Sequence, residues 1–243
     1  MVQKELVSRL VAQEYAVYLV NDYIRFKDVV KTVEDPIVFI NIDEALSIKK
    51  WKNYISDLMG GDRPVPVGVL TYNEDPELAR EFLMDLMIPC GFIKLKLGLE
   101  QSFEIILKTL EVNEARGRRK YLRVNCSGVK NTGFNVLQGE RMLEGKVVDI
   151  SSIGMSFIFN DNVRLAKNTL IKGVQVRLKG RLCRVSGPIV GCSSTPDGLL
   201  YVMLFEKTTS YKQKECIYSF IYEVLQDEIT EVMKRPQLVT TLV

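Results

Sequence analysis

The chain has 243 residues, of which 47% are hydrophobic, 26% charged and 9% aromatic, with a formal net charge of +3. That length allows one large domain or two of ordinary size, and the proportions exclude a disordered, collagen-like or disulfide-dense chain. No apolar run approaches the roughly 18 residues of a membrane helix, and Met1 to Glu5 show no signal-peptide apolar core, so a cytoplasmic protein without membrane insertion is expected.

In chain order, Leu6, Leu10 and Val11 suggest a first helix, while Ala16 to Val20 reads equally as strand. Ile37 to Ile40 is a short apolar run with the character of a buried strand. Ala45, Ile48, Trp51, Ile55 and Leu58 recur at helical spacing until Gly60-Gly61. Val65 to Tyr72 is a second strand. Asn73-Glu74-Asp75-Pro76 then caps a helix with Leu78, Phe82, Leu83 and Leu86 on one face. Phe92 to Leu97 alternates as a third strand, and Ser102 to Glu114 returns to helical spacing. Gly60-Gly61 lacks the spacing of a phosphate-cradling loop.

From residue 119 the pattern changes to alternation with turn signals. Strands are expected at 120–126, 142–150, 154–160, 171–178, 181–190 and 199–206, with Thr195-Pro196-Asp197-Gly198 as a tight turn. Ser210 and Gln213 form a capping box, followed by a helix carrying Ile217, Phe220, Ile221, Val224 and Leu225 on one face. Six short strands and one amphipathic helix imply a small closed β-barrel with a helix against it. The fold class expected is therefore α+β: a small α/β-type domain over residues 1–115, then an antiparallel barrel with a C-terminal helix over 116–243.

Charge divides the same way. Residues 1–115 carry 13 Lys and Arg against 19 Asp and Glu, and residues 116–243 carry 20 against 11. A basic second half favours an anionic partner. Two further counts narrow the chemistry. There is no histidine, which removes histidine triads, histidine zinc sites and imidazole acid–base catalysis. The five cysteines form no CxxC pair and read as buried small hydrophobes.

Two clusters exceed what a core requires. Arg116-Gly117-Arg118-Arg119-Lys120-Tyr121-Leu122-Arg123 holds five basic residues in eight. Period 2 places Leu122, Val124 and Cys126 on the core face and Arg119, Tyr121 and Arg123 on the other. The two outer arginines are then about 13 Å apart along a strand, close enough to converge on one bulky anion. The second cluster is Asp149-Ile150-Ser151-Ser152-Ile153-Gly154, at a turn between two strands, with Asp149 and Ser151 pointing the same way. Taken singly, the first reads as a solvated basic linker or nucleic-acid patch, and the second as an Asx or Ser/Thr turn closing a hairpin.

Together, Arg119…Arg123 as R-x-x-x-R and Asp149…Gly154 as D-x-S-x-x-G, about 25 residues further on, resemble the PilZ domain, a bacterial receptor module for the second messenger cyclic di-GMP. The resemblance covers about 116–243 and departs from the family at Ile153, where many members carry a second glycine. It implies a six-stranded barrel with a C-terminal helix, a non-enzymatic receptor role, no cofactor, and a ligand site made by Arg116, Arg118, Arg119, Arg123, Asp149, Ser151 and Gly154. By the same resemblance the ligand lies at the junction with the N-terminal domain, and Arg118 accompanies a pair of stacked ligands. Because Arg116-Gly117-Arg118 is boundary and anion site at once, binding is expected to change the domain arrangement or the binding of a downstream protein partner. The alternatives are a nucleic-acid-binding barrel and a degenerate PilZ scaffold that binds protein only.

Overall fold

The computed structural model describes residues 2–115 and 119–235, which pack as two units. One takes residues 2–7, 19–115 and 229–235; the other takes Ser8–Tyr18 and Arg119–Glu228.

The first unit is α/β. Helix α1 (Val2–Ala12) opens the chain. Residues 16–20 form no strand; they lead to α2 (Tyr23–Thr32), which Asp22 caps by accepting from the Ile24 and Arg25 amides. Strands β1 (Val38–Asn41), β2 (Val67–Thr71) and β3 (Phe92–Lys94) then form a parallel sheet in the order β1-β2-β3. Parallel strands require helical crossovers, supplied by α3 (Ile48–Gly60) and by α4 (Pro76–Arg80). Trp51, Ile55 and Leu58 of α3 meet Val38, Ile40, Val67 and Val69 of the sheet in one core. Two expectations shift here. Leu83 is exposed rather than facing the core with Leu78 and Phe82, because α4 widens into a π-helical turn at Glu81–Asp85 that rotates the following side chains. The third strand stops at Lys94, since Leu95–Leu97 coil into a 3₁₀ turn before α5 (Leu99–Val112).

The second unit holds β4 (Arg123–Asn125), β5 (Gly133–Gln138), β6 (Arg141–Ser151), β7 (Gly154–Phe159), β8 (Leu170–Leu178), β9 (Arg181–Thr195) and β10 (Gly198–Leu204). Among the described residues six of these close an antiparallel ring, β6-β5-β8-β9-β10-β7 and back to β6. Closure leaves no unpaired edge in the ring. Phe134, Phe157, Phe159 and Tyr201 fill its interior, with neighbouring ring centroids 4.8–5.8 Å apart. A bulge at Ile171–Val174 bends β8, and Gly173 supplies the positive φ of +66° there while its amide donates to Ser186 Oγ.

The six strands are not quite those expected. β5 is a ring member that the pattern misses, because Gly133-Phe134-Asn135-Val136 offers only two buried apolar positions among turn-forming residues. The strand expected at 120–126 shrinks to Arg123–Asn125 and lies beside the ring, paired only with the end of β6. After it, α6 (Tyr211–Lys234) buries Ile217, Phe220, Ile221, Val224 and Leu225. Its capping box is formed reciprocally: the Ser210 amide donates to Gln213 Oε1 at 2.8 Å, and the Gln213 amide to Ser210 Oγ at 3.4 Å.

Candidate functional site

Pairing of β4 with β6 brings the two motifs together. Arg123 stands opposite Ser151, Val124 opposite Ile150, and Asn125 opposite Asp149. Residues directly opposite on paired strands point to the same side, so Arg123, Asp149 and Ser151 share one face while Val124 and Ile150 fill the core. A bulge between Val147 and Asp149 sets that register on the β7 side of β6. Arg123 Nε lies 3.6 Å from Asp149 Oδ1, beyond hydrogen-bond reach and half in solvent. Each group therefore keeps hydrogen-bonding capacity for another molecule.

The remaining candidates are placed differently. Arg119 is exposed and lies in a bend before β4, so the expected sharing of one strand face by Arg119, Tyr121 and Arg123 does not hold. The chain is out of the sheet there, and the Leu122 amide donates to the Glu14 carboxylate instead of to a strand. Arg119 has no hydrogen bond or ion pair with the described residues. Lys120 Nζ sits 5.5 Å over the Tyr121 ring as a cation–π pair. Ser151 is buried, and its hydroxyl donates to the Gly154 carbonyl at 3.2 Å, closing the β6–β7 hairpin. Gly154 gives room to a neighbouring strand: a Cβ there would stand 2.4 Å from the Met203 carbonyl oxygen of β10. Arg116 and Arg118 lie outside the described residues.

Asp149 also makes itself felt in the core below. Burial, with the Asp149 charge adding to it, pushes the Cys126 thiol up to about 12. Cys90 and Cys183 are buried too, but Cys216 is half-buried and Cys192 exposed, against the expectation for all five. β9 runs beyond Ile189, its last buried residue, into the outer end of its hairpin, and Cys192 lies there. Among the described residues no group of three or more Cys, Asp or Glu side chains is arranged to hold a metal ion, and no helix is long and apolar enough to cross a membrane.

One contributor has no local signal in the sequence. Glu14 accepts from the Leu122 amide at 2.7 Å through Oε2, and from the Ser152 and Tyr218 hydroxyls at 2.6 and 3.1 Å through Oε1. It lies more than a hundred residues before either motif. Ser152, legible only as a turn residue, is one of its donors.

The ring of six strands and the helix after it match the barrel with a C-terminal helix that the sequence resemblance implies. No family model and no curated protein matches the chain. Similar solved structures include the PilZ domain of YcgR from Escherichia coli with c-di-GMP, at 14% identity and a TM-score of 0.42, covering 49% of this chain and all of that one. YcgR from Escherichia coli in complex with c-di-GMP is 17% identical with a TM-score of 0.39, covering 47% of this chain and 48% of that one. The Bacillus subtilis inhibitor of motility MotI/DgrA is 13% identical with a TM-score of 0.38, covering 49% and 54%. The chain thus spans about half the length of the two longer neighbours.

Proposed function

We propose that the barrel unit is a receptor for cyclic di-GMP and that the protein acts as a non-enzymatic effector of that second messenger. The observation that carries this reading is the β4–β6 pairing, which sets Arg123 beside Asp149 with neither side chain saturated. Cyclic di-GMP presents two phosphodiester charges and two guanines. A guanidinium pairs in two-pronged fashion with phosphate oxygens or with guanine O6 and N7, and it stacks on base faces. Asp149 accepts from the guanine N1–H and N2–H₂ donors, which no arginine can do. Arg119, exposed and unpaired among the described residues, supplies the second guanidinium, and Arg116 and Arg118 extend the same basic run. Ser151 and Gly154 support the site by holding the hairpin that carries Asp149.

Arg116-Gly117-Arg118 stands in sequence between residues 19–115 of the α/β unit and the barrel strands, so ligand binding there changes the arrangement of the domains or the surface offered to a downstream protein. Small-angle scattering with and without cyclic di-GMP checks the first outcome; superimposable profiles count against it.

Isothermal titration tests the binding itself. Wild-type protein is expected to bind cyclic di-GMP, and Arg119→Ala and Arg123→Ala are each expected to lose about 1.5–3 kcal/mol, the worth of hydrogen bonds to a charged group. Both side chains reach solvent, so neither truncation leaves a cavity. Wild-type affinity in both variants would sink the proposed site. A steep fall of binding with salt would point to diffuse phosphate contacts and hence to a nucleic acid.

A further inference from the structure

We infer that Glu14 is a positioning residue for the ligand site, holding the arginine-bearing segment against the Asp149 hairpin and α6. The affinity part of this inference rests on the cyclic di-GMP reading; the positioning part does not.

The backbone at Glu14 is the first observation. Helix α1 ends in a Schellman motif: the Tyr15 amide donates to the Leu10 carbonyl at 3.1 Å, and the Glu14 amide to the Val11 carbonyl at 2.9 Å. Leu10 and Tyr15, both buried, supply the apolar contact that accompanies such an ending. The residue after the cap in this motif takes a left-handed conformation and is usually glycine. Here it is Glu14, at φ +69°. A side chain at that position adds nothing to the helix end itself; what Glu14 adds is its carboxylate.

The carboxylate is the second observation. Its three donors come from three separate segments: the Leu122 amide between the two arginines of R-x-x-x-R, the Ser152 hydroxyl inside D-x-S-x-x-G, and the Tyr218 hydroxyl on α6. Every bond has an ionised acceptor, the stronger class of hydrogen bond. Without Glu14 the Leu122 amide has no strand partner, because β4 begins one residue later. Among the described residues, the backbone of the chain bearing Arg119 is then next anchored where β4 pairs with β6. Tyr218 registers the same contact, since burial first and the Glu14 charge second push its hydroxyl up to about 12.

Glu14→Gly and Glu14→Gln test this. Glycine relieves the left-handed backbone but deletes the carboxylate and its three hydrogen bonds. A role in overall stability alone therefore predicts a lower melting temperature, with Leu122 exchange rising no more than that of other barrel amides and binding unchanged where the variant is folded. The positioning role predicts that the Leu122 amide of the unliganded protein gains about tenfold or more in exchange over barrel amides away from the site, with cyclic di-GMP affinity falling about tenfold at a temperature where the variant is fully folded. Glu14→Gln keeps the size and one acceptor oxygen and is expected to restore part of both losses. Leu122 exchange in Glu14→Gly that rises no more than that of other barrel amides overturns the positioning role, and tighter ligand binding would make Glu14 a competitor of the ligand. If wild-type protein bound no cyclic di-GMP, the receptor reading would fail while the exchange measurement still decided the role of Glu14.

Discussion

Polar side chains beyond the ends of β1 and β2 in the α/β unit and those on β4 and β6 of the barrel are used in opposite ways. At the ends of β1 and β2, Asp43 accepts from the Thr71 hydroxyl and from the Tyr72 amide at 2.9 Å. Beyond them a relay of turns runs from Asn73 to Asp75 to Glu77, each amide meeting the preceding side chain at 2.9 Å. Glu74 is paired with Lys96 at 2.8 Å, a bond that lowers its carboxyl below the usual range. These groups are consumed in making turns and helix starts. On β4 and β6 of the barrel, Arg123 and Asp149 stand at 3.6 Å, and Arg119 has no partner among the described residues. A polar group that is saturated builds the fold; one held in place and left open is available to a ligand. Charge by itself does not make that distinction, because both units are rich in it.

The largest expected effects come from breaking each unit at its own core. Phe82 of the α/β unit and Phe157 of the barrel are both fully buried. Truncating either to alanine removes a ring and leaves a cavity, at a cost of about 3–5 kcal/mol. Amide exchange read separately in the two units is expected to show Phe82→Ala loosening the parallel sheet and Phe157→Ala loosening the barrel. Cyclic di-GMP binding should survive the first substitution better than the second. Equal loss of protection in both units from either variant would show that the comparison divides a single cooperative body.

A smaller effect is expected at alkaline pH. Burial pushes Cys126 and Cys183 of the barrel up to about 12, and Cys90 of the α/β unit up to about 11, from an ordinary value near 9. The folded state therefore holds these protons more tightly than the unfolded chain does. Their stabilising effect is complete below pH 9 and is lost as pH rises through 11 to 12. Urea midpoints measured from pH 8 to 12 should fall, with the barrel continuing to lose stability above pH 11, after the Cys90 contribution has gone. At pH 8 a thiol reagent should label exposed Cys192 in the native protein and leave Cys126 and Cys183 untouched. Rapid labelling of Cys126 would mean that the strand beneath the site opens readily.

Much of this architecture is legible in the sequence, for identifiable reasons. Helix α6 announces itself because a capping box precedes five apolar residues at helical spacing, and all five are buried. The meeting of Arg123 and Asp149 is also legible, since each motif carries its own pattern and the resemblance links them. Strand β5 is hidden because Phe134 and Val136 are too few to establish a period. The shortening of β4 and the part played by Ser152 are hidden for a different reason. Both regions bond to Glu14, a contact that spans more than a hundred residues, and no local periodicity encodes it.

A smaller effect still is expected within the barrel itself. Arg181 on β9 makes a two-pronged pair with Glu223 of α6, both contacts at 2.8 Å. The pair is partly exposed, so Arg181→Ala is expected to lower stability by only about 0.2–1 kcal/mol, readable as a small shift of the urea midpoint. Arg123→Ala should cost a similar amount or less, because its pairing with Asp149 is looser. The two variants remove the same charge from the same barrel, so a ligand held by general attraction to a basic surface would lose equal affinity in both. A ligand held by geometry distinguishes them. Arg181 has already given its fork to Glu223, whereas Arg123 has not given its own to Asp149. Titration is therefore expected to leave cyclic di-GMP affinity within about twofold of wild type in Arg181→Ala and to lower it about tenfold or more in Arg123→Ala. Matching losses would transfer the explanation from the open pair on β4 and β6 to the net charge of the unit, and the contrast between saturated and open groups would no longer predict where the ligand binds.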